Sequence, residues 1–265
     1  MHRLKPAARL ASLDENPRSA FPKAASLGAG AVEFDAWGPL RPRDLGTTAR
    51  RELKALAGGC RLGFAAARAP LRHGLVEPSG MDPRLEYLGE AIALAADLGA
   101  GVLSVEAGQV PEKPETPAGR ALSQSLAHLA PLAERRGVAV ALVTGLESGE
   151  VLSRLLEPWP AEVFGVAFDP ANWLTHGFDP SAELAALAPR VRVAHATDAR
   201  KSSPGRAALG VPLGEGDVPW PLLLAHLDAF GFTGWVTARE ADDQARPEAM
   251  AHSLKVLRGW LAGPG

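Results

Sequence analysis

The chain has 265 residues, 46% of them hydrophobic, which is enough for a full core and, at about 150 residues per domain, for no more than two domains. Its 28 Lys and Arg against 30 Asp and Glu leave a formal charge of −2, without the basic excess that general nucleic-acid binders use to neutralise phosphates. Gly and Pro make up about a fifth of the residues, below the range of low-complexity chains, and the lone Cys60 excludes an internal disulfide and a cysteine-built zinc site.

Met1-His2-Arg3-Leu4-Lys5-Pro6 opens the chain with basic charge, but Glu15 interrupts before an apolar run of signal-peptide length. No stretch reaches the roughly 18 apolar residues of a membrane-spanning helix, so a soluble, cytoplasmic protein is expected. Strands are predicted at Ala7–Leu10, Ala31–Asp35, Leu62–Ala67, Val102–Glu106, Val138–Val143, Val166–Asp169, Val191–His195 and Trp235–Ala238. Each is a short apolar run followed by a turn and an Ala/Leu-rich stretch of helical period. The clearest helices are Pro83–Leu98, with Leu85, Leu88, Ile92, Ala95 and Leu98 on one face and Gly99 ending it, and Val218–Phe230. Eight units in 265 residues give about 33 residues each, the size of a strand with its crossover helix, and leave no room for a second domain. The expected fold is α/β, a single-domain (β/α)8 TIM barrel over residues 1–265. The near-continuous apolar character of the strands fits a parallel sheet covered by helices, and no glycine-rich turn follows the first strand to suggest a dinucleotide-binding fold.

In such a barrel the chemistry sits where strands end, which singles out Glu33, Asp35, Arg68, Glu106, Thr144, Asp169, His195 with Asp198, and Arg239 with Glu240. Around these ends lie Gly165-Val-Ala-Phe-Asp169-Pro-Ala-Asn172, Val193-Ala-His195-Ala-Thr-Asp198, Val211-Pro-Leu-Gly214-Glu-Gly216-Asp-Val-Pro-Trp220 and Gly231-Phe-Thr-Gly234-Trp235. In the first half, Gly28-Ala-Gly-Ala-Val-Glu33-Phe and Ala95-Ala-Asp-Leu-Gly99-Ala add a more diffuse similarity. In this order the segments resemble the xylose isomerase-like barrel superfamily, the sugar phosphate isomerase/epimerase group related to apurinic-site endonucleases.

That resemblance implies one divalent ion, Mn²⁺, Mg²⁺, Co²⁺ or Zn²⁺, held by Glu, Asp, His and Glu at the ends of strands five to eight. Such an ion chelates a ketose's adjacent oxygens and stabilises the negative oxygen formed as a carbon-bound proton leaves. Asp169 and His195 match the strand-six and strand-seven ligands. Val143 stands in the strand-five position and Arg239 in the strand-eight position, so the expected metal site is weak or lost. Glu240 lies one place late, facing away from the barrel axis unless a bulge corrects it. Asn172 stands where the pattern often has His.

Glu106, at the mouth of strand four, is placed to reach toward the position left empty at Val143, and with Glu240 it forms the candidate catalytic pair. Asn172, Asp198, Arg239 and His73 are the candidate substrate-binding residues; the other histidines, His2 among them, read as surface groups. Arg68, Arg72, Arg200, Lys201 and Arg206 are read first as surface charges, with substrate phosphate contacts as the alternative. Gly214-Glu-Gly216 reads as a tight turn rather than a phosphate loop. The expected function is that of a sugar phosphate isomerase/epimerase-like protein acting on a small carbohydrate at the barrel mouth. The alternative is a non-catalytic or metal-independent barrel that binds an anionic sugar through Arg239. An apurinic-site endonuclease would need more His and Glu ligands than these strand ends provide. Neither nucleic acid nor membrane is an expected partner, and a homo-oligomer is left open.

Overall fold

The computed structural model describes residues 4–202, 208–240 and 246–263; the predicted His2 and Arg206 lie outside these. Strand and helix alternate from the start as β1 (Lys5–Arg9), α1 (Pro17–Ser26), β2 (Ala31–Asp35), α2 (Thr47–Gly59), β3 (Gly63–Ala69), α3 (Met81–Leu98), β4 (Val102–Val105), α4 (Pro117–Arg136) and β5 (Ala139–Val143). The second half continues with α5 (Gly149–Leu156), β6 (Phe164–Phe168), α6 (Pro170–Thr175), α7 (Pro180–Leu187), β7 (Val191–Ala196), β8 (Asp198–Arg200), β9 (Leu209–Val211), α8 (Trp220–Ala229), β10 (Trp235–Ala238) and α9 (Pro247–Ala262). Eight of the strands close into a parallel barrel in the order β1-β10-β7-β6-β5-β4-β3-β2, a (β/α)8 TIM barrel. Closure runs from Lys5 opposite Trp235 to Ala8 opposite Ala238.

Local sequence explains many of the boundaries. Asn16, Thr116, Asp169 and Asp179 each precede a proline, and each side chain accepts a backbone N–H of the helix it opens. The side chain satisfies one otherwise unpaired amide, while proline at the first helical position gives up none that the helix needs. At the other end, Gly99 and Gly137 stop α3 and α4 in the left-handed region, at φ 91° and 62°. The predicted strands find their counterparts with ends shifted by at most two residues, Ala31–Asp35 and Trp235–Ala238 matching at both ends, and the helix read as Val218–Phe230 is Trp220–Ala229. The antiparallel pair β8 and β9, inserted between β7 and α8, has no counterpart in the sequence reading.

The two faces of the strands differ. Val140, Leu142, Val166 and Phe168 join the large core beneath the helices, whereas Ala141, Ala167, Ala66 and Val193 form a small interior cluster with Val143 against it. The strands are therefore apolar on both faces in their lower part, as a helix-covered parallel sheet requires. An interior of alanines leaves room for long side chains from the strand ends, and Arg9 and Glu33 fill it, both nearly or fully buried. No described helix is long and apolar enough to cross a membrane.

Candidate functional site

The C-terminal ends of the strands surround a cavity of about 680 Å³, with Arg68, Glu106, Val143, Asp169, Asn172 and Arg239 on its walls. This volume lies within the range of small-molecule sites.

Behind Asp169 and Arg239, which line the cavity, His195 at the end of β7 has no solvent exposure. Its Nδ1 is 2.9 Å from Nη1 of Arg239. A guanidinium only donates, so Nδ1 accepts this bond and the ring proton sits on Nε2. Nε2 faces Oε2 of Glu33 at 3.2 Å, and Oε1 of the same carboxylate is 3.4 Å from Nε of Arg239. Glu33 is fully buried, and these contacts lie at ion-pair distance without the alignment of hydrogen bonds. Burial alone would push its carboxyl up, but Arg239, then His195 and Arg9, outweigh it and bring the pKa down to about 2. The carboxylate therefore stays ionised and holds both groups.

Asp169 meets His195 from the neighbouring strand, Oδ2 lying 3.9 Å from Nδ1. Its other oxygen accepts from Thr197 Oγ1 at 2.7 Å and from the Asn172 amide at 3.2 Å, and its own amide donates to Thr144 Oγ1 at 2.9 Å. The helix-capping role and the site-facing role thus belong to different oxygens of one side chain. A second chain of charges runs beside the first: Arg9 pairs with Asp35 at 2.6 Å, Arg68 with Asp35 at 3.5 Å, and Arg68 with Glu106 at 3.1 Å. Cation and anion alternate around the mouth.

The other candidates are disposed differently. Asn172 donates from Nδ2 to the Thr144 carbonyl at 2.7 Å, and only a glycine fits at Gly145, where φ is 144° and a Cβ would collide with that amide. Glu240 borders the cavity, but its Oε1 accepts from Ser253 on α9 at 3.0 Å. Asp198 also borders it, yet is 3% exposed and accepts the amides of Ala199, Gly214, Gly216 and Val218. It serves the turn after β9, where a Cβ on Gly216 would strike its Oδ1. His73 is exposed and belongs to a neighbouring cavity. Arg200 is exposed and donates to the Glu215 carbonyl, and Lys201 is likewise exposed.

The sequence model of the xylose isomerase-like TIM barrel family matches residues 21–260. The chain belongs to that family. A search of curated proteins returned no match. Among solved structures, a xylose isomerase domain protein from Planctomyces limnophilus superposes with a TM-score of 0.83 at 23% identity, covering 97% of this chain and 96% of that one. A D-tagatose 3-epimerase-like protein gives 0.76 at 18% identity, with 97% of each chain covered. A xylose isomerase-like TIM barrel protein from Mycobacterium smegmatis, in complex with magnesium, gives 0.75 at 15% identity, covering 98% of this chain and 97% of that one. At such identities the likeness is one of fold.

Within this xylose isomerase-like barrel, no group of three or more His, Cys, Asp or Glu side chains among the described residues is arranged to hold a metal ion. Two residues with perturbed environments had no role in the sequence reading. Glu33 was visible only as a strand-end acid. Glu147, in the loop after β5, is 7% exposed and accepts the Val110 amide at 3.3 Å; burial raises its pKa to about 7 against the opposing effect of that hydrogen bond.

Proposed function

We propose that this barrel binds a small sugar or sugar derivative at its mouth and acts on it by isomerase- or epimerase-type proton transfer, with the Arg239 guanidinium supplying the positive charge instead of a divalent ion. The observation that carries this reading is the contact of Arg239 with His195 Nδ1 at 2.9 Å, fixed from behind by Glu33.

The residues do not fit the family's ion. Val143 offers no ligand atom, and the His195 nitrogen nearest Asp169 is already taken by a guanidinium. A second cation about 4 Å from that charge would be repelled by about 4 kcal/mol at an effective dielectric near 20. Asp169 and His195 alone leave an ion too few hard ligands.

The same residues can move a proton without it. Asp169 is held by Thr197 and the Asn172 amide, and its Oδ2 accepts the carbon-bound proton next to a substrate carbonyl. The electron pair of that bond moves onto the carbonyl oxygen, where N–H donors of Arg239 stabilise the negative charge; fixed donors of this kind need no reorganisation. Asp169 returns that proton to the neighbouring carbon in an isomerisation, while Glu106, at the end of β4 on the other side of Val143, is the second carboxylate, which accepts the substrate hydroxyl proton and passes it to the oxyanion. Glu240 and Asn172 complete the ligand-facing wall. A non-catalytic barrel selecting an anionic sugar through Arg239 is the second reading; it draws on the same guanidinium without the proton transfer at Asp169.

Metal analysis of protein purified without chelator, with a thermal-shift screen of neutral sugars, sugar acids and sugar phosphates, tests the proposal. The expected result is far less than one ion per chain, a sugar ligand whose binding survives chelator, and a loss of at least about tenfold in its affinity in Arg239→Ala, since one charge-assisted hydrogen bond contributes about 1.5–3 kcal/mol. One ion per chain with chelator-sensitive binding overturns it. A preference for acids over neutral analogues that Arg239→Ala abolishes favours the second reading.

A further inference from the structure

Beside the mouth lies a second cavity of about 550 Å³, and Leu71 and Arg72 on the β3–α3 loop wall both. Its surface is mainly apolar, built from Trp37, Pro70, Leu71, Pro83 and Tyr87. Of the polar residues that border it, Arg72, His73 and Ser79 are exposed, whereas Tyr87 and Arg84 are turned largely to the protein's own backbone. Tyr87 donates its hydroxyl to the Ala36 carbonyl at 2.9 Å, and Arg84 donates to the carbonyls of Ser79, at 3.1 Å, and of Glu77. A polar group lying against the apolar walls would give up water for few partners, whereas an apolar one loses only unfavourable hydration.

Trp37 is the distinctive wall. It follows β2, at the same end of the barrel as the mouth, and is 54% exposed although it is the largest kind of apolar side chain. Its ring stands edge-on to Tyr87, with centroids 6.2 Å apart and planes at 89°, and Arg41 lies 5.3 Å from its centroid. Both contacts fix the ring while more than half of its surface stays open. Single exposed apolar residues are common, but this one borders an apolar cavity that shares Leu71 and Arg72 with the candidate site.

We infer that the second cavity is an aglycone subsite: the sugar sits in the mouth, and an aryl or similar apolar ring attached to it passes Leu71 and Arg72 to lie against Trp37 and Tyr87. This rests on the sugar reading of the mouth proposed above. The mainly apolar lining favours an apolar ring over a second sugar, most of whose hydroxyls would be left without partners. Offset or edge-on packing on two aromatic residues rewards a flat ring in particular.

Calorimetry on the full chain with phenyl and methyl β-glycosides of glucose, galactose and xylose and their ring-ketone derivatives, together with phenol alone, tests this in wild type, Trp37→Ala and Arg239→Ala. Phenyl glycosides are expected to bind at least about tenfold tighter than their methyl partners. Trp37→Ala should remove that preference and leave methyl glycoside affinity unchanged, while Arg239→Ala should weaken both series alike. Equal affinity of the two series, or a preference that survives Trp37→Ala, overturns the inference. If phenol binds in a Trp37-dependent manner but no glycoside of either kind does, the sugar reading fails and takes the aglycone assignment with it, leaving an apolar site of another kind. Solution mass is measured on the same samples, and a dimer that Trp37→Ala converts to monomer makes this face a contact between two copies of the chain and likewise overturns the subsite.

Discussion

A carboxylate with no solvent exposure, such as that of Glu33, is tolerated when cations surround it closely enough to offset the loss of water. Arg239 and Arg9 do so here, with the Nε2 edge of His195 turned toward the carboxylate. Because its pKa falls to about 2 from an unfolded value of 4.5, Glu33 contributes stability that is fully present above about pH 4.5 and is lost as pH falls through about 2. The shift corresponds to about 3 kcal/mol. Glu33→Gln should therefore flatten the acid limb of stability between those limits, as read by urea unfolding at stepped pH. An acid limb of the same steepness in the variant refutes it. At pH 7, Arg239→Ala strands the charge and should cost about 3–5 kcal/mol, part of which Glu33→Gln restores in the double variant. The strand-end position of Asp169 and His195 was readable because each closes an apolar run on an adjacent strand, and they do come within 3.9 Å. The role of Glu33 was not readable. Its partners arrive from β7 and β10, and no local pattern in Gly28-Ala-Gly-Ala-Val-Glu33-Phe reports what faces it across the barrel.

Loops between elements carry another titration. Glu147 precedes α5, whose cap is Ser148, and in the sequence it resembles a solvated acid at a helix start. The loop after β4 covers it, giving it the Val110 amide, while its own carbonyl accepts Trp173 Nε1 at 2.8 Å. With a folded pKa near 7 against 4.5 unfolded, the folded state favours the protonated acid. Stability is then full below about pH 4.5 and declines as pH rises through about 7, by up to about 3 kcal/mol. Glu147→Gln keeps an acceptor for Val110 and removes the ionisation. Its Tm should exceed that of wild type at pH 8 and match it at pH 5; an equal difference at both values would mean that Glu147 does not titrate in this window. The barrel strands and the long helices were legible because their apolar periods run over many residues. The hairpin of β8 and β9 was not, since two three-residue strands show no period and their register depends on Asp198 gathering the amides of Gly214, Gly216 and Val218.

Eight repeats of strand and helix are a property of the whole chain, which is why the barrel could be read although several strand ends differ by one or two residues. Closure then brings Glu33, His195 and Arg239 together from strands that are not all neighbours, and this happens above an alanine-filled interior that does not depend on their identity. A site built on such a scaffold is exchangeable without rebuilding the scaffold. Val143→Glu with Arg239→Glu supplies the two carboxylates that the family pattern has at these strand ends and removes the cation. Without metal, Arg239→Glu turns a second carboxylate toward Glu33, so the metal-free double variant should be several kcal/mol less stable than wild type while keeping its circular dichroism spectrum at low temperature. Mn²⁺ should reverse this, because an ion that binds only the folded state at a hundred times its Kd adds about 2.7 kcal/mol, or roughly 5–10 °C in Tm for a chain of this size. Wild type, and Val143→Glu alone with Arg239 retained, should show no comparable rise. Thermal unfolding and calorimetry with and without Mn²⁺ compare the three proteins directly. If wild type responds to Mn²⁺ as strongly as the double variant, the mouth already holds an ion through other residues and Arg239 is not its substitute.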